Sequence, residues 1–290
     1  MRKYKVIGIG DNVVDKYVLE GKMYPGGNAL NFSVYAKMNN IKSAYIGKFG
    51  DDDVAEYIKA VLDELQIDYS YSKTYSGENG YAKVKLDKNE RVFLGSNKGG
   101  VAKEKKWELT NQVISYISEF SLIHTSLNSY IESELKTLKS LDIPISFDFS
   151  VRWNDEYLKE VCPYIDIAFL SCSHLTSSER EREMKKAEEL GADLIVGTVG
   201  ENGSYALYKG DFIYQPAIID EDVVDTMGAG DAYLTALLIE LLDQSNGSFR
   251  FKDDDLTFEV IQNAMKKGSK FAAEICKIEG AFGYGKQVRV

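Results

Sequence analysis

Short apolar segments typical of buried strands alternate with amphipathic helical patterns along most of this 290-residue chain. Residues 4–9 predict a first buried strand, and residues 54–65 repeat apolar side chains at the 3.6-residue period of a helix. Strands that alternate with helices form parallel sheets covered by helices on both faces. We therefore expect an α/β protein with a doubly wound, mostly parallel sheet, built as a single domain over residues 1–290.

The same patterns place the other elements of this fold. Strands are predicted at residues 44–46, 121–124, 144–149, 166–170 and 193–198, followed by a hairpin at 204–214. Helices are predicted at 28–38, 130–141, 154–161, 176–190, 229–243 and 256–277. Only four prolines and no low-complexity segment interrupt this order, so the sequence indicates no linker between domains.

Residues 69–97 have a different character. They are rich in tyrosine, alternate apolar with polar residues, and contain a turn-forming segment at 87–90. This pattern predicts an antiparallel hairpin with one face in water. An antiparallel insertion early in a parallel sheet is a candidate lid, which we expect to comprise approximately residues 12–26 and 69–97.

Composition limits the partners of the protein. The net charge of −10 and the sequence pI of about 4.9 argue against a nucleic-acid or anionic-membrane partner. The N-terminal residues lead directly into a strand pattern, and no apolar run approaches the ~18 residues of a membrane span. Cys162, Cys172 and Cys276 have no paired spacing, which is typical of a reducing compartment. We expect a cytoplasmic protein.

Residues 223–233 contain the most informative motif. Gly228, Ala229 and Gly230 form a turn that opens an apolar helical pattern, and Asp231 follows directly. The N–H groups and dipole at such a helix start suit a phosphate. Asp231 could then take a proton from a hydroxyl that attacks the phosphate. The alternative is an ordinary acid that complements the helix dipole.

Two polar clusters lie where strands or turns should meet one edge of the sheet. Asp11 and Asp15 follow the first strand and could hold sugar hydroxyls or a cationic amine, or could simply form a polar turn. Gly26 and Gly27 allow close approach to a ligand at the next helix.

That helix begins with two asparagines spaced about one turn apart. Asn28 is predicted to cap it, and Asn31 is predicted to point toward the same mouth.

Two further clusters follow later strands. Asp148 and Arg152 could reach the same mouth, although a surface ion pair is equally compatible with their spacing. Thr198, Gly200 and Gly203 form a glycine-rich turn that could hold phosphate oxygens or ribose, or could be a plain hairpin turn.

The two histidines supply no catalytic set. His124 lies in a strand-like run and is predicted to be a core residue with satisfied hydrogen bonds, and His174 has no identifiable partner. Neither a Ser-His-Asp arrangement nor metal-ligand spacing is present, which disfavours nucleophilic hydrolysis and a dedicated metal cage.

In this order and spacing, the clusters resemble the ribokinase-like, or PfkB, carbohydrate kinases. Gly26-Gly27-Asn28 is similar to the first signature of that family, and residues 225–231 are similar to its second. Residues 50–53 and 198–203 also resemble family segments. The resemblance implies an α/β/α core with a small β lid, and ATP-dependent phosphorylation of a primary sugar hydroxyl, with MgATP as the donor.

The resemblance also implies site roles. It makes Asp231 the general base, with the N–H groups of residues 228–230 around the transferred phosphoryl group. It places Asp15, Gly27, Asn31 and Asp148 in the sugar pocket, and Thr198 and Gly200 at the nucleotide. It implies a monovalent cation such as K⁺ near Asp225 and Thr226, and a homodimer formed through the lid.

Within the family, the amino-acid sequences of several segments are most similar to those of the fructosamine kinases. This resemblance implies fructoselysine or a related fructosamine as substrate and a 6-phosphate product. The matching segments include residues 9–12, 89–93 and 147–150. Same-fold alternatives are a fructokinase, a 2-keto-3-deoxygluconate kinase, a ribokinase or a nucleoside kinase. An alternative of another class is a non-catalytic sugar-binding regulator.

One segment departs from the family pattern. Many members carry Asn-x-x-Glu after the strand that corresponds to residues 166–170, where it helps to organise magnesium-bound water. This chain has Ser171-Cys172-Ser173-His174 instead. Glu179 or Glu181 could replace the family's glutamate, but the spacing does not show it, so the sequence assigns no Mg²⁺ ligands.

Overall fold

Two β-sheets organise the protein. The computed structural model describes residues 2, 4–87, 90–251 and 256–288. In this part of the chain the strands, numbered in chain order, are β1 (Lys5–Gly10), β2 (Val13–Tyr17), β3 (Lys22–Gly26), β4 (Lys42–Phe49), β5 (Lys73–Thr74), β6 (Gly80–Asp87), β7 (Glu90–Ser96), β8 (Leu122–Ser126), β9 (Ile145–Asp148), β10 (Ile167–Ser171), β11 (Leu194–Thr198), β12 (Ser204–Tyr208), β13 (Asp211–Gln215) and β14 (Lys286–Gln287).

The helices connect and cover these strands. They are α1 (Asn28–Met38), α2 (Asp53–Glu64), α3 (Val101–Glu104), α4 (Asn111–Ile117), α5 (Leu135–Lys139), α6 (Asp155–Val161), α7 (Ser177–Glu189), α8 (Ala229–Gln244) and α9 (Phe258–Ile275). Among the described residues, none of these helices has the length and apolar character needed to cross a membrane.

The larger sheet is mostly parallel. Its strand order in the described residues is β13-β12-β11-β10-β9-β8-β1-β4-β5, and its antiparallel pairs are β11-β12 and β12-β13 at one edge, where β12 alone runs against the other strands. Successive residues of a strand point to opposite faces. Accordingly, Val6 packs against the core cluster that contains α8 and α9, while Ile7 packs against the cluster that contains α4 and α7. The predicted doubly wound α/β fold is confirmed.

The smaller sheet consists of β14, β3, β2, β6 and β7 in that order. It is largely antiparallel, but β2 pairs with β6 in parallel. The hairpin predicted over residues 69–97 occupies only Gly80–Ser96, because Lys73–Thr74 pairs with the end of β4 in the larger sheet. The sequence did not indicate β14. Residues 88 and 89 of the predicted turn, and residue 89 of the segment 89–93, lie outside the described residues.

The helix predicted over residues 130–141 is also wrong in extent. Tyr130 has a left-handed backbone with φ of 51°, which cannot continue a helix. A 3₁₀ turn at Glu132–Glu134 follows, and α5 covers only Leu135–Lys139.

The connections around β1 place the site. The chain leaves β1 at Gly10, forms β2 and β3 of the smaller sheet, and returns through Gly26 and Gly27 into α1. The smaller sheet therefore begins and ends at the carboxyl edge of the larger sheet, where ligands bind in open α/β folds.

Candidate active site

Asp231 lies in the first turn of α8 and is held by two asparagine side chains. Asn28 donates to Asp231 Oδ1 at 2.7 Å, and Asn31 donates to Asp231 Oδ2 at 2.6 Å. Both asparagines come from α1, which faces the start of α8. The carboxylate is thus oriented by partners about 200 residues away in sequence, as the hydrogen-bond separations of 203 and 200 show.

Asn28 joins Asp231 to a second carboxylate. Its amide nitrogen also donates to Asp148 Oδ2 at 2.7 Å, at the carboxyl end of β9. The sequence placed Asp148 at this mouth, and the structure brings it to the same amide as Asp231. The predicted helix cap by Asn28 is wrong, because Gly27 is the N-cap residue and the Asn28 side chain turns into the site.

Asp11 caps α1 instead. Its carboxylate accepts the backbone N–H of Asn28 at 2.8 Å and of Ala29 at 3.2 Å, and the hydroxyls of Ser126 at 3.1 Å and Ser129 at 3.4 Å. Three of these donors reach Oδ1, and the Asn28 N–H is the donor to Oδ2. In the structure Asp11 fixes the start of α1, and the substrate contact that the sequence predicted for it stays a prediction.

Asp148 has an unusual titration. Burial, together with the charges of Asp231 and Asp11, raises the pKa of its carboxyl to about 7, against the lowering effect of hydrogen bonds from the Ser150 N–H and Asn28. Asp148 is therefore a carboxyl group that changes charge near neutral pH.

This titration predicts how stability depends on pH. Between about pH 4 and about pH 7 the unfolded chain loses the Asp148 proton while the folded protein keeps it, so stability falls as pH rises through this window. Denaturant unfolding should show the stability of the wild type decreasing, relative to Asp148→Asn, from about pH 4 to about pH 8. The control is Glu20→Gln, which removes an exposed charge in the turn after β2. A constant difference between wild type and Asp148→Asn would contradict the raised pKa.

Asp15 and Asn31 line the neighbouring side of the site. Asp15 lies on β2 and is buried, and a Cβ on Gly26 would lie 3.3 Å from its Oδ2 and 3.3 Å from Cε of Met227. Gly26 therefore allows the end of β3 to approach both groups closely. Asn31 is buried, and its Oδ1 has no hydrogen-bond partner among the described residues. A buried acceptor without a partner is available to a ligand hydroxyl or amine.

The second glycine of the pair has a backbone role. Gly27 has φ of 120°, and a Cβ there would lie 2.7 Å from the carbonyl oxygen of Asp11. A larger residue would push α1 away from β1 and displace the amides that hold Asp231.

The predicted nucleotide-binding residues lie at the same sheet edge. Thr198 ends β11, two strands from β9 and Asp148. Gly203 (φ 88°) makes the tight turn into β12, where a Cβ would lie 2.2 Å from the Gln215 carbonyl oxygen. Gly200 (φ 57°) is more open, with Ser173 Oγ at 3.5 Å as the nearest atom to its Cβ position.

Arg152 is exposed and its guanidinium donates to the Asn128 side chain on the loop after β8. The structure does not describe an ion pair between Arg152 and Asp148, which the spacing had allowed. Asp148 instead accepts the Asn28 amide and the Ser150 N–H.

Asp225 links the loop before α8 to the smaller sheet. Its carboxylate accepts the Tyr17 hydroxyl at 2.6 Å, the Met227 N–H at 2.9 Å and the Gly280 N–H at 3.0 Å. Asp225 is buried and Thr226 is exposed. Tyr17 belongs to β2, so the position of the smaller sheet and the glycine loop are directly coupled.

Two glutamates follow the altered segment Ser171–His174, and of these Glu181 is exposed. Glu179 is committed to the start of α7, where it accepts the Thr176 N–H at 2.8 Å. Among the residues that the structure describes, no group of three or more His, Cys, Asp or Glu side chains could hold a metal ion.

Sequence reasoning missed the connection of His124 to this site. His124 is fully buried with both ring nitrogens hydrogen-bonded, as predicted, but one of its partners is Asn28. The position of His124 near the end of β8 was the only signal that could have indicated this, because the contact joins residues 96 positions apart.

Comparison with known proteins agrees with this geometry. The family model for pfkB family carbohydrate kinases matches residues 3–281. The chain is 39% identical over 287 residues to fructosamine kinase FrlD of Bacillus subtilis (strain 168), covering 99% of this chain and 95% of that protein. It is 31% identical over 230 residues to fructoselysine 6-kinase of Escherichia coli (strain K12), covering 79% of this chain and 86% of that protein.

A solved structure shares the fold. The fructokinase from Vibrio cholerae O395, in a form with fructose, ADP and potassium ion bound, aligns with a TM-score of 0.76 and 19% identity, covering 97% of this chain and 94% of that one. The chain thus belongs to the pfkB family of carbohydrate kinases and has the ribokinase-like fold. It is a phosphotransferase that uses an alcohol group of a sugar as acceptor.

Proposed function

We propose that this protein transfers the γ-phosphate of ATP to a primary hydroxyl of fructoselysine or a related fructosamine, giving the 6-phosphate. The observation that carries this proposal is the carboxylate of Asp231, held by Asn28 and Asn31 at the start of α8. A Cβ on the neighbouring Gly230 would meet no atom within 4 Å, so this start faces open space of the kind a phosphoryl group needs.

Asp231 then acts as the general base. It accepts the proton of the primary hydroxyl as that oxygen bonds to the γ-phosphorus, and the bond between this phosphorus and the β-γ bridging oxygen breaks to release ADP. The N–H groups of Gly228, Ala229 and Gly230 hold the charge on the transferred group. The Ala229 N–H now contacts the Thr226 carbonyl at a long 3.3 Å, a weak bond that a phosphate oxygen can replace.

The substrate preference rests on the acids and amides around the sugar. Asp15, and Asp148 once it is ionised above about pH 7, supply negative charge, which favours a protonated amine, and Asn31 Oδ1 supplies an acceptor. The two relatives named for fructosamine and fructoselysine support the same class. Gly26, Gly27 and Arg152 complete the proposed sugar side, while Thr198, Gly200 and Gly203 form the proposed nucleotide side.

The test is a substrate panel with coupled detection of ADP. Fructoselysine should give the highest kcat/KM among fructoselysine, fructose, 2-keto-3-deoxygluconate, ribose and a nucleoside, and ³¹P spectra of the product should show a 6-phosphate. A higher kcat/KM for a neutral sugar would assign the enzyme to one of the other kinases of this fold. Sugar binding without ADP formation for every compound would favour a non-catalytic regulator.

Magnesium enters as part of the MgATP substrate. Mg²⁺ is usually held by one or two carboxylates together with substrate phosphates and water. Asp231 is assigned to the proton and Asp148 to the sugar, so we assign Mg²⁺ no protein ligand; bound to the phosphates, it would supply charge neutralisation there.

We also propose a monovalent cation, such as K⁺, beside Asp225 and Thr226. The three donors on Asp225 leave about one of its four acceptor positions for a cation. Replacing potassium with tetramethylammonium should lower kcat several-fold without unfolding the protein. Unchanged activity in the organic cation would contradict the site.

The smaller sheet is the proposed lid, and closing it over the sugar excludes water and limits ATP hydrolysis. Its edge strand β7 exposes Val92, Phe93 and Leu94. Because an apolar edge strand favours pairing with another chain, we propose a homodimer formed through the lid, which sedimentation equilibrium tests.

A further inference from the structure

A chain of hydrogen bonds runs from the interior of the larger sheet to the proposed base. Ser146 Oγ on β9 is 2.7 Å from His124 Nδ1 on β8, and His124 Nε2 is 2.8 Å from Asn28 Oδ1. The Asn28 amide nitrogen is 2.7 Å from both Asp148 Oδ2 and Asp231 Oδ1.

The two carboxylates at the end of this series of hydrogen bonds determine which group donates and which accepts in each bond. Carboxylates accept, so the Asn28 nitrogen must face Asp148 and Asp231, and its oxygen must face His124. Nε2 of His124 must then donate. Burial lowers the pKa of the ring to about 3, so it is neutral and Nδ1 accepts the Ser146 hydroxyl.

We propose that His124 is a positioning residue that fixes the orientation of the Asn28 amide between the two carboxylates, and thereby aims Asp231. This rests on the proposed role of Asp231 as general base. Without a donor at Nε2, Asn28 Oδ1 loses its hydrogen bond, and only the two carboxylates then restrain the amide, so its plane and its distance to Asp231 are less well fixed.

The surroundings of His124 make it suited to this role. The ring is fully buried, and Phe32 of α1 packs against it with ring centroids 4.7 Å apart. The Ser146 hydroxyl can donate or accept, so it supplies Nδ1 with a partner in the tautomer that Asn28 sets. The ring therefore has one orientation before substrate arrives, which is the condition for a preorganised site.

Substitution at His124 tests the positioning in the active enzyme. His124→Leu should lower kcat by roughly tenfold to a hundredfold, the loss expected for one hydrogen bond to a charged site, with little change in sugar KM. His124→Gln should recover most of this loss, because its amide can again donate to Asn28. The matched control is Ser33→Ala, which removes a buried hydroxyl on α1 whose hydrogen bonds, within the described residues, go to the Ala29 and Ala44 carbonyls. Equal losses for Leu and Gln in folded proteins, or wild-type kcat for Leu, would overturn the proposal.

The tautomer is measurable without catalysis. In ¹⁵N-labelled wild-type protein, the His124 ring should show the neutral form protonated at Nε2, unchanged from about pH 5.5 to about pH 8. His174→Gln assigns the two imidazole signals, since the chain has two histidines. A ring protonated at Nδ1, or one that titrates in this range, overturns the positioning role. Absence of kinase activity on the substrate panel would instead refute the proposed function. The ¹⁵N spectrum tests the His124 tautomer independently of that activity.

Discussion

Asp231→Asn should lower kcat by at least roughly a hundredfold with a modest change in KM, since a positioned general base contributes about 10²–10⁴-fold. The structure adds a second reason for the loss. Asn28 and Asn31 each donate to one oxygen of Asp231, so an amide at this position turns one donor toward another donor. Steady-state kinetics with the best substrate of the panel measures the effect.

The control for this prediction lies on the same helix. Glu240→Gln removes a carboxylate of α8 that bonds the Gln244 side chain near the other end, and it should leave kcat unchanged. Thermal unfolding of both variants separates lost catalysis from lost structure. An Asp231→Asn enzyme within about fivefold of the wild-type kcat would rule out the assigned role.

Gly228→Ala and Gly230→Ala should have opposite effects on stability. Gly228 has φ of 74°, and a Cβ there would lie 2.2 Å from the hydroxyl of Tyr35, a buried side chain bonded to the Ala281 carbonyl. Left-handed strain of about 1–2 kcal/mol together with this clash should lower the free energy of unfolding by about 2–4 kcal/mol. Denaturant unfolding measures the loss, and activity should fall with it.

Gly230→Ala is the matched partner of that variant. A Cβ at Gly230 meets no atom within 4 Å, and alanine is the better helix former by about 0.5–1 kcal/mol, so stability should be unchanged or slightly raised. The added methyl group would enter the space proposed for the phosphoryl group, so kcat/KM for ATP should fall at least about tenfold. A fully active Gly230→Ala enzyme would show that the transferred phosphoryl group does not occupy the space beside Gly230.

The fold was largely predictable because strand and helix periodicities are local signals. Most helix and strand bounds agree within a few residues, and the hairpin at 204–214 is present as β12 and β13. The errors arose where long-range pairing or backbone strain overrides pattern. Lys73–Thr74 joined β4 rather than the hairpin, and the left-handed backbone of Tyr130 shortened the predicted helix.

The sequence by itself determined the family, the glycine turn before α8 and the candidate acid Asp231, because these depend on residue order along one short segment. Only the tertiary structure decided which groups surround that acid. Asp11 became the cap of α1, Asn28 became the bridge between two carboxylates, and His124 became its partner, through contacts between residues 17, 120, 203 and 96 positions apart. Hydrogen bonds at such separations depend on how the strand ends meet in the folded protein. Local sequence patterns do not predict this arrangement.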